Sequence, residues 1–144
     1  MYMLILLSLF FKACLSANTM CWTVDQMTDQ IMLETDHNGD GIMQLDELRH
    51  QLTTSWGMTD NGISYHDFIA MWVARYHDTH STAHDFVVNM DLNKNGLIES
   101  SDINGHVGNY DTNPHDGQIQ KVEFNAFLHA VHPDPHNNGG HGCH

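Results

Sequence analysis

Basic residues are scarce. Five lysines and arginines stand against eighteen aspartates and glutamates, a formal net charge of −13. A chain so acidic repels a phosphate backbone, so nucleic acid is excluded as a partner and cations or a mineral surface are favoured. Long apolar runs are equally rare. Leu4 to Phe11, broken only by Ser8, is the longest. It falls well short of the ~20 residues that cross a bilayer, so no membrane span is expected. Its place near the start, ahead of the small residues Ser16 and Ala17, fits a secretory signal over residues 1–17, and the chain is expected to be secreted and extracellular. Removing that segment takes away Lys12 and Cys14 and leaves four basic residues, Arg49, Arg75, Lys94 and Lys121. It also leaves two cysteines, Cys21 and Cys143. An even number in an exported chain suggests one disulfide tying the termini together. Serine and cysteine nucleophile motifs, a phosphate-binding loop and a zincin signature are all missing, so no enzymatic activity is expected.

Among the residues that are present, the stretch from Asp36 to Glu47 organises the chain. Read as a twelve-residue loop, it places side-chain oxygens at positions 1, 3 and 5 (Asp36, Asn38, Asp40) and a glycine, Gly41, at position 6. The Ile42 carbonyl follows, then Gln44 at position 9 and Glu47 at position 12. Calcium takes 6–8 oxygens at ~2.3–2.6 Å, and this spacing wraps them around one point. Gly41 supplies the positive φ of the sharp turn, and Glu47 can close the shell with both oxygens. The stretch resembles an EF-hand loop and matches that pattern in full.

Three weaker copies follow. Asp91 to Asp102 offers Asp91, Asn93, Asn95, the Leu97 carbonyl, Glu99 and Asp102 as ligands. It ends in the shorter Asp, which weakens bidentate closure. A further copy over residues 111–123 offers Asp111, Asn113, Asp116, Gln118 and Glu123, but is one residue too long if Asp111 is position 1. Counted strictly, Thr112 is position 1 and Pro114 supplies no oxygen. The faintest copy, residues 56–67, has Trp56 and Met58 at positions 1 and 3, so it is expected to be structural. The copies recur at an offset of about 55 residues, dividing the chain into similar halves, 18–78 and 79–132. The resemblance implies an all-α fold, an EF-hand helix-loop-helix tandem with short β-bridges between paired loops. Ile63 is expected beside Met43 and Ile119 beside Ile98. Only about nine residues separate Glu47 from Gly57, an economy that also resembles dockerin-type units. Thr23 with Gln26 predicts a capping box for a helix reaching about Thr35, and Ser81 or Thr82 is expected to cap a later one. Apolar residues at helical spacing predict the core: Val24, Met27 and Ile31, then Leu48, Leu52 and Trp56, then Phe68, Met71 and Trp72. Phe86, Val87 and Met90, and finally Phe124, Phe127, Leu128 and Val131, continue it.

Histidine is the second signal, with thirteen in the chain. His129, His132, His136, His141 and His144 crowd the C-terminal end beside Cys143, and residues 133–144 are expected to form a flexible tail suited to Zn2+ or Cu2+. His77, His80 and His84 would share a face if one helix carried them all. The expected function is extracellular calcium binding, as a buffer or in body-fluid or mineral-matrix calcium handling. The alternatives are a sensor exposing a hydrophobic groove to an extracellular protein, or a carrier of transition metal on its histidines.

Overall fold

The computed structural model describes residues 21–112 and 114–133. The expected signal segment with Cys14, the ligand candidate Asn113, and His136, His141, Cys143 and His144 of the expected tail lie outside the described residues.

The described chain is mostly helical. Its elements are α1 (Val24–Thr35), β1 (Ile42–Gln44), α2 (Leu45–Ser55), β2 (Ile63–Ser64), α3 (Tyr65–Tyr76), α4 (His80–Met90), β3 (Leu97–Ile98), α5 (Ser100–Tyr110), β4 (Gln118–Gln120) and α6 (Lys121–Val131). One order of three helices and two strands therefore occurs twice. The start of α1 is fixed as the sequence indicates. The Gln26 N–H donates to Thr23 Oγ1 at 3.2 Å, and the Thr23 N–H donates to Gln26 Oε1 at 2.9 Å. The start of α4 corrects an expectation. Thr79, rather than Ser81 or Thr82, is the cap, because its Oγ1 accepts the Thr82 N–H at 3.0 Å while Asp78 Oδ1 accepts its own N–H at 2.7 Å. His80 and His84 then share α4, one turn apart. His77 instead ends α3 in a left-handed conformation with φ 51°, and so stands on a different element.

Strand pairing corrects a second expectation. β1 is antiparallel to β4, with Met43 opposite Ile119, and β2 is antiparallel to β3, with Ile63 opposite Ile98. Successive strands within a half do not pair with each other. The reason is length. α2 links the first loop directly to the second, and its eleven residues rise ~1.5 Å each, holding the two loops ~16 Å apart. α5 does the same between the third and fourth loops. Strands ~4.8 Å apart must come from different halves, and the repeated order matches the first loop with the fourth and the second with the third.

One hydrophobic cluster runs through both halves. The expected inward residues Val24, Met27, Trp56, Phe68, Trp72, Phe86, Val87, Met90, Phe124, Leu128 and Val131 are buried, while Ile31, Leu48, Leu52, Met71 and Phe127 pack against them from its margin. Trp72 sits among Phe86, Tyr76 and Phe68 with ring centroids 4.5, 4.6 and 5.7 Å away, the first two pairs tilted and the third stacked, within the range where aromatic pairs attract. Trp56 and Met58, the ligand-lacking positions of the second loop, are buried core side chains. That loop is reduced to a turn closed by the Gly62 N–H donating to the Thr59 carbonyl at 2.9 Å. Gly62 has φ 80°, and a Cβ there would lie 2.6 Å from the Ile98 carbonyl oxygen. Gly62→Ala is therefore expected to cost more than the ~1–2 kcal/mol of the left-handed backbone alone, because the β2–β3 pair must also part. Urea unfolding of the variant would measure the loss, and an unchanged midpoint would refute it.

Candidate metal centres

The first loop is held by its own side chains. Asp36 Oδ1 accepts the Gly39 N–H at 2.7 Å and Oδ2 accepts the Gly41 N–H at 2.7 Å, which folds the chain around the carboxylate. Asn38 Oδ1 accepts from the Asp40 N–H, and Asp40 Oδ1 from the Ile42 N–H, at 2.8 and 2.9 Å. The Ile42 bond is the largest influence holding the Asp40 carboxyl below its ordinary range. Gln44 Nε2 donates to Asp40 Oδ2, and Asn38 Nδ2 donates to Gln44 Oε1, so the side chains of positions 3, 5 and 9 form one network. Glu47 closes the loop by accepting the His37 N–H on Oε1 at 3.0 Å and the Gln44 N–H on Oε2 at 3.1 Å.

The other two loops repeat this pattern. In the third, Asp91 Oδ2 accepts the Gly96 N–H at 2.8 Å, Asp102 Oδ1 accepts the Leu92 N–H at 3.0 Å, and Asp102 Oδ2 accepts the Glu99 N–H at 2.9 Å. Asn93 and Asn95 both donate to Glu99 Oε2. Asp102 thus reaches the same two backbone positions as Glu47 despite its shorter side chain. In the fourth, Asp111 Oδ2 accepts the Gly117 N–H at 2.6 Å, and Glu123 accepts the Thr112 and Gln120 N–H groups at 2.9 and 3.0 Å. These bonds put Asp111 at position 1 and accommodate the additional residue before Asp116. The exposed His115 ring donates from Nδ1 to the Asp111 carbonyl. Asp116 Oδ1 accepts the Gln118 N–H at 3.0 Å, as Asp40 does from Ile42.

The closing acid has a second duty. Glu47, Asp102 and Glu123 each occupy the third position of the outgoing helix and accept the N–H of its capping residue, Gln44, Glu99 or Gln120. One carboxylate therefore closes the loop and starts the helix, where the helix dipole favours negative charge. In the second loop the equivalent acid, Asp67, accepts instead from the Ser64 hydroxyl at 2.8 Å.

Burial separates these acids from ordinary surface carboxylates. Asp91 is 0%, Asp102 1% and Asp111 2% exposed, and Glu47 and Glu123 are buried as well. Burial pushes the Asp91 carboxyl up. The Gly96 N–H, the Tyr65 hydroxyl at 2.8 Å, and the Lys94 and Asn95 N–H groups together outweigh it, so the carboxyl is held below its ordinary range. Tyr65 itself is pushed up to about 12 by burial and then by Asp91. No lysine or arginine of the described residues supplies the counter-charge, and the exposed His115 ring comes only to 3.9 Å from Asp111 Oδ2. Arg75 pairs with Glu34, Lys121 pairs with Asp29, Lys94 Nζ donates to the Val88 carbonyl and Arg49 donates to Asn104. Buried carboxylates without a cation are costly, by several kcal/mol each.

Among the described residues no three His, Cys, Asp or Glu side chains converge as a ready-made metal cluster. The loop carboxylates other than Glu99 are turned onto their own backbone N–H groups, Glu99 accepts from the Asn93 and Asn95 amides, and the remaining candidate donors are amide and main-chain oxygens. Such a set suits a hard cation and lacks the imidazole or thiolate that zinc and copper prefer. His37 lies edge-on to His50 with centroids 5.1 Å apart, a pair of rings without a third donor group.

Sequence reasoning missed Tyr65. It follows β2 directly, and only the β2–β3 pairing carries its hydroxyl onto the third loop. Met43 and Ile63 were visible as apolar positions after the loop glycines, yet nothing local to them names their partners. No protein-family model, curated protein or solved structure matches the chain.

Proposed function

We propose that the chain is a secreted calcium-binding protein of the EF-hand kind, with sites at the first and third loops and a third, distorted site at the fourth. One observation carries this reading. Three loops repeat the same arrangement, in which carboxylates at both ends accept from backbone N–H groups and all but the half-buried Asp36 are buried, while the lysines and arginines are engaged elsewhere. A divalent cation would supply the missing positive charge. Asp36, Asn38, Asp40, Gln44, Glu47 and the Ile42 carbonyl would hold it in the first loop, and the corresponding oxygens, with Asp91 and Asp102 at the ends, in the third. The role is calcium buffering or matrix binding outside the cell, with mineral or extracellular protein as partner. Cys21, buried beside the start of α1, is proposed to pair with Cys143, and intact-mass measurement before and after reduction and alkylation tests it.

Calorimetric titration with calcium tests the metal reading. Glu47→Gln is expected to weaken the tightest step by roughly tenfold or more, about 1.4 kcal/mol or above, while Asp102→Ala removes a weaker step. Retention of the tight step in Glu47→Gln, with its loss in Asp102→Ala, would reverse the ranking. No heat with calcium, together with strong heat with zinc, would replace the reading with histidine-based metal carriage.

A further inference from the structure

Three helices begin directly after a strand: α2 at Leu45, α3 at Tyr65 and α6 at Lys121. The repeat sets Tyr65 and Lys121 at equivalent places, each one residue beyond a ladder that ties its loop to the other half. Their side chains then differ in what they reach. Lys121 pairs at the surface with Asp29, whereas the half-buried Tyr65 donates its hydroxyl to Asp91 Oδ2 at 2.8 Å. Asp91 is the first ligand of the third loop in the calcium reading, and it is fully buried. Its counterparts take their side-chain bonds from their own loops among the described residues. Asp36 accepts from the Gly39, Asp40 and Gly41 N–H groups, and Asp111 from those of Asp116 and Gly117. Asp91 has a set of the same kind, from Lys94, Asn95 and Gly96, and then one donor more, from the other half of the chain.

The second loop makes this contact possible. β2 pairs with β3 so that Ser64 lies opposite Leu97, whose carbonyl is another candidate ligand. Ser64 caps α3, its Oγ accepting the Asp67 N–H at 3.1 Å while Asp67 Oδ2 accepts the Ser64 hydroxyl at 2.8 Å. The acid that would close a metal loop here instead fixes the first turn of α3, and with it the place of Tyr65 against the third loop.

We infer that Tyr65 is a positioning residue of the third calcium site, its hydroxyl holding the Asp91 carboxylate ready to ligate, so that the second loop serves a site it does not itself form. The inference rests on the calcium reading and extends it. A buried carboxylate needs partners for the lone pairs that the cation does not take, and a ligand held by such a partner is already oriented when the cation arrives. The phenol is neutral, so it supplies this bond without repelling a dication, which the lysine at the equivalent place could not do. The need is greatest in this loop, because Asp102 closes it with a shorter side chain than Glu47 or Glu123.

The full chain carrying Glu47→Gln and Glu123→Gln keeps the third loop as its intact site, and glutamine can retain the helix-capping contact. Calcium is titrated into it calorimetrically, with and without Tyr65→Phe, which removes the hydroxyl and keeps the ring. Tyr65→Phe is expected to weaken the step by roughly tenfold, the lower end of what losing an outer partner of a metal ligand costs. Added to Asp102→Ala, where the first and fourth loops remain, it should leave their affinities where they were. A second readout separates positioning from general support of the fold. A cation drawing on the Asp91 carboxylate weakens its bond to the phenol, so the ultraviolet difference spectrum of tyrosine should follow the third-site step and vanish in Tyr65→Phe. Circular dichroism shows whether the variant is folded, and if it is not, the tyrosine signal without Tyr65→Phe decides. Unchanged or tighter third-site binding in Tyr65→Phe, an equal loss at the first and fourth loops, or a third-site step with no tyrosine signal would each overturn the inference while the calcium reading stands. A parent chain that takes up no calcium would overturn both.

Discussion

Residues 18–78 produced alone are expected to be unfolded, as are residues 79–132, while mixing the two restores the helical signal of the whole chain. Each half carries two strands, and every one of the four has its partner in the other half. Severed, the halves would leave four short edges unpaired in place of two closed ladders. The core is divided in the same way. α1 packs on α6, and Asn125 Nδ2 donates to Asp25 and Thr28 across that seam at 2.8 and 3.0 Å. Tyr65 bonds Asp91, and His132 bonds Asp78, from opposite halves. A piece of ~60 residues buries only ~60% of the surface its unfolded chain exposes, which is marginal even for an intact domain. Circular dichroism with thermal melting checks this directly. A cooperative melt from either half alone would show that the repeats are independent units.

Asp78→Ala is expected to destabilise the protein by about 3–5 kcal/mol, the range found when one partner of a buried pair is removed. That is a large share of the ~5–15 kcal/mol that holds most domains together. Asp78 lies in the short link between α3 and α4, and both it and His132 have side chains 1% exposed. Its Oδ2 accepts from Trp72 Nε1 at 2.9 Å and from His132 Nε2 at 2.8 Å, and its Oδ1 accepts the Thr79 N–H that starts α4. Removing one side chain therefore strands three donors, two of them buried deep against Phe86 and Trp72. His132→Ala strands fewer and should cost less. Denaturant midpoints of both variants test the order, and equal or negligible losses would show that the link is not a fastening point.

His132 also shows where a sequence falls short. As one of five histidines near the C-terminus it reads as part of a polar, metal-seeking tail, but it is 2% exposed and belongs to the core. Nothing in its neighbourhood signals this, because its partner is fifty-four residues away. The helices were legible for the opposite reason. Thr23 with Gln26, and the apolar spacing of Phe86, Val87 and Met90, are local patterns, and local patterns decide where a helix starts and which face it buries. The positions of the loop acids were legible too, since a fixed offset along the chain is what brings Asp36 and Glu47 onto one short stretch of backbone. Strand partnership was not. Met43 and Ile63 are only twenty residues apart in the sequence, and proximity along the chain suggested a pairing that the rigid length of α2 forbids.

The crossed ladders join the loops in pairs. The first loop shares hydrogen bonds with the fourth, through Ile42 to Gln44 on one side and Gln118 to Gln120 on the other. The third shares them with the second, whose ligand positions are Trp56 and Met58. If calcium fills these loops, the cooperative pair consists of the chain's first and last sites, and occupancy of one raises the affinity of the other by the same factor in both directions. The third site would then have a ladder neighbour without ligand side chains, and it would answer to calcium as a lone element, with a shallow response beside the steeper one of the pair.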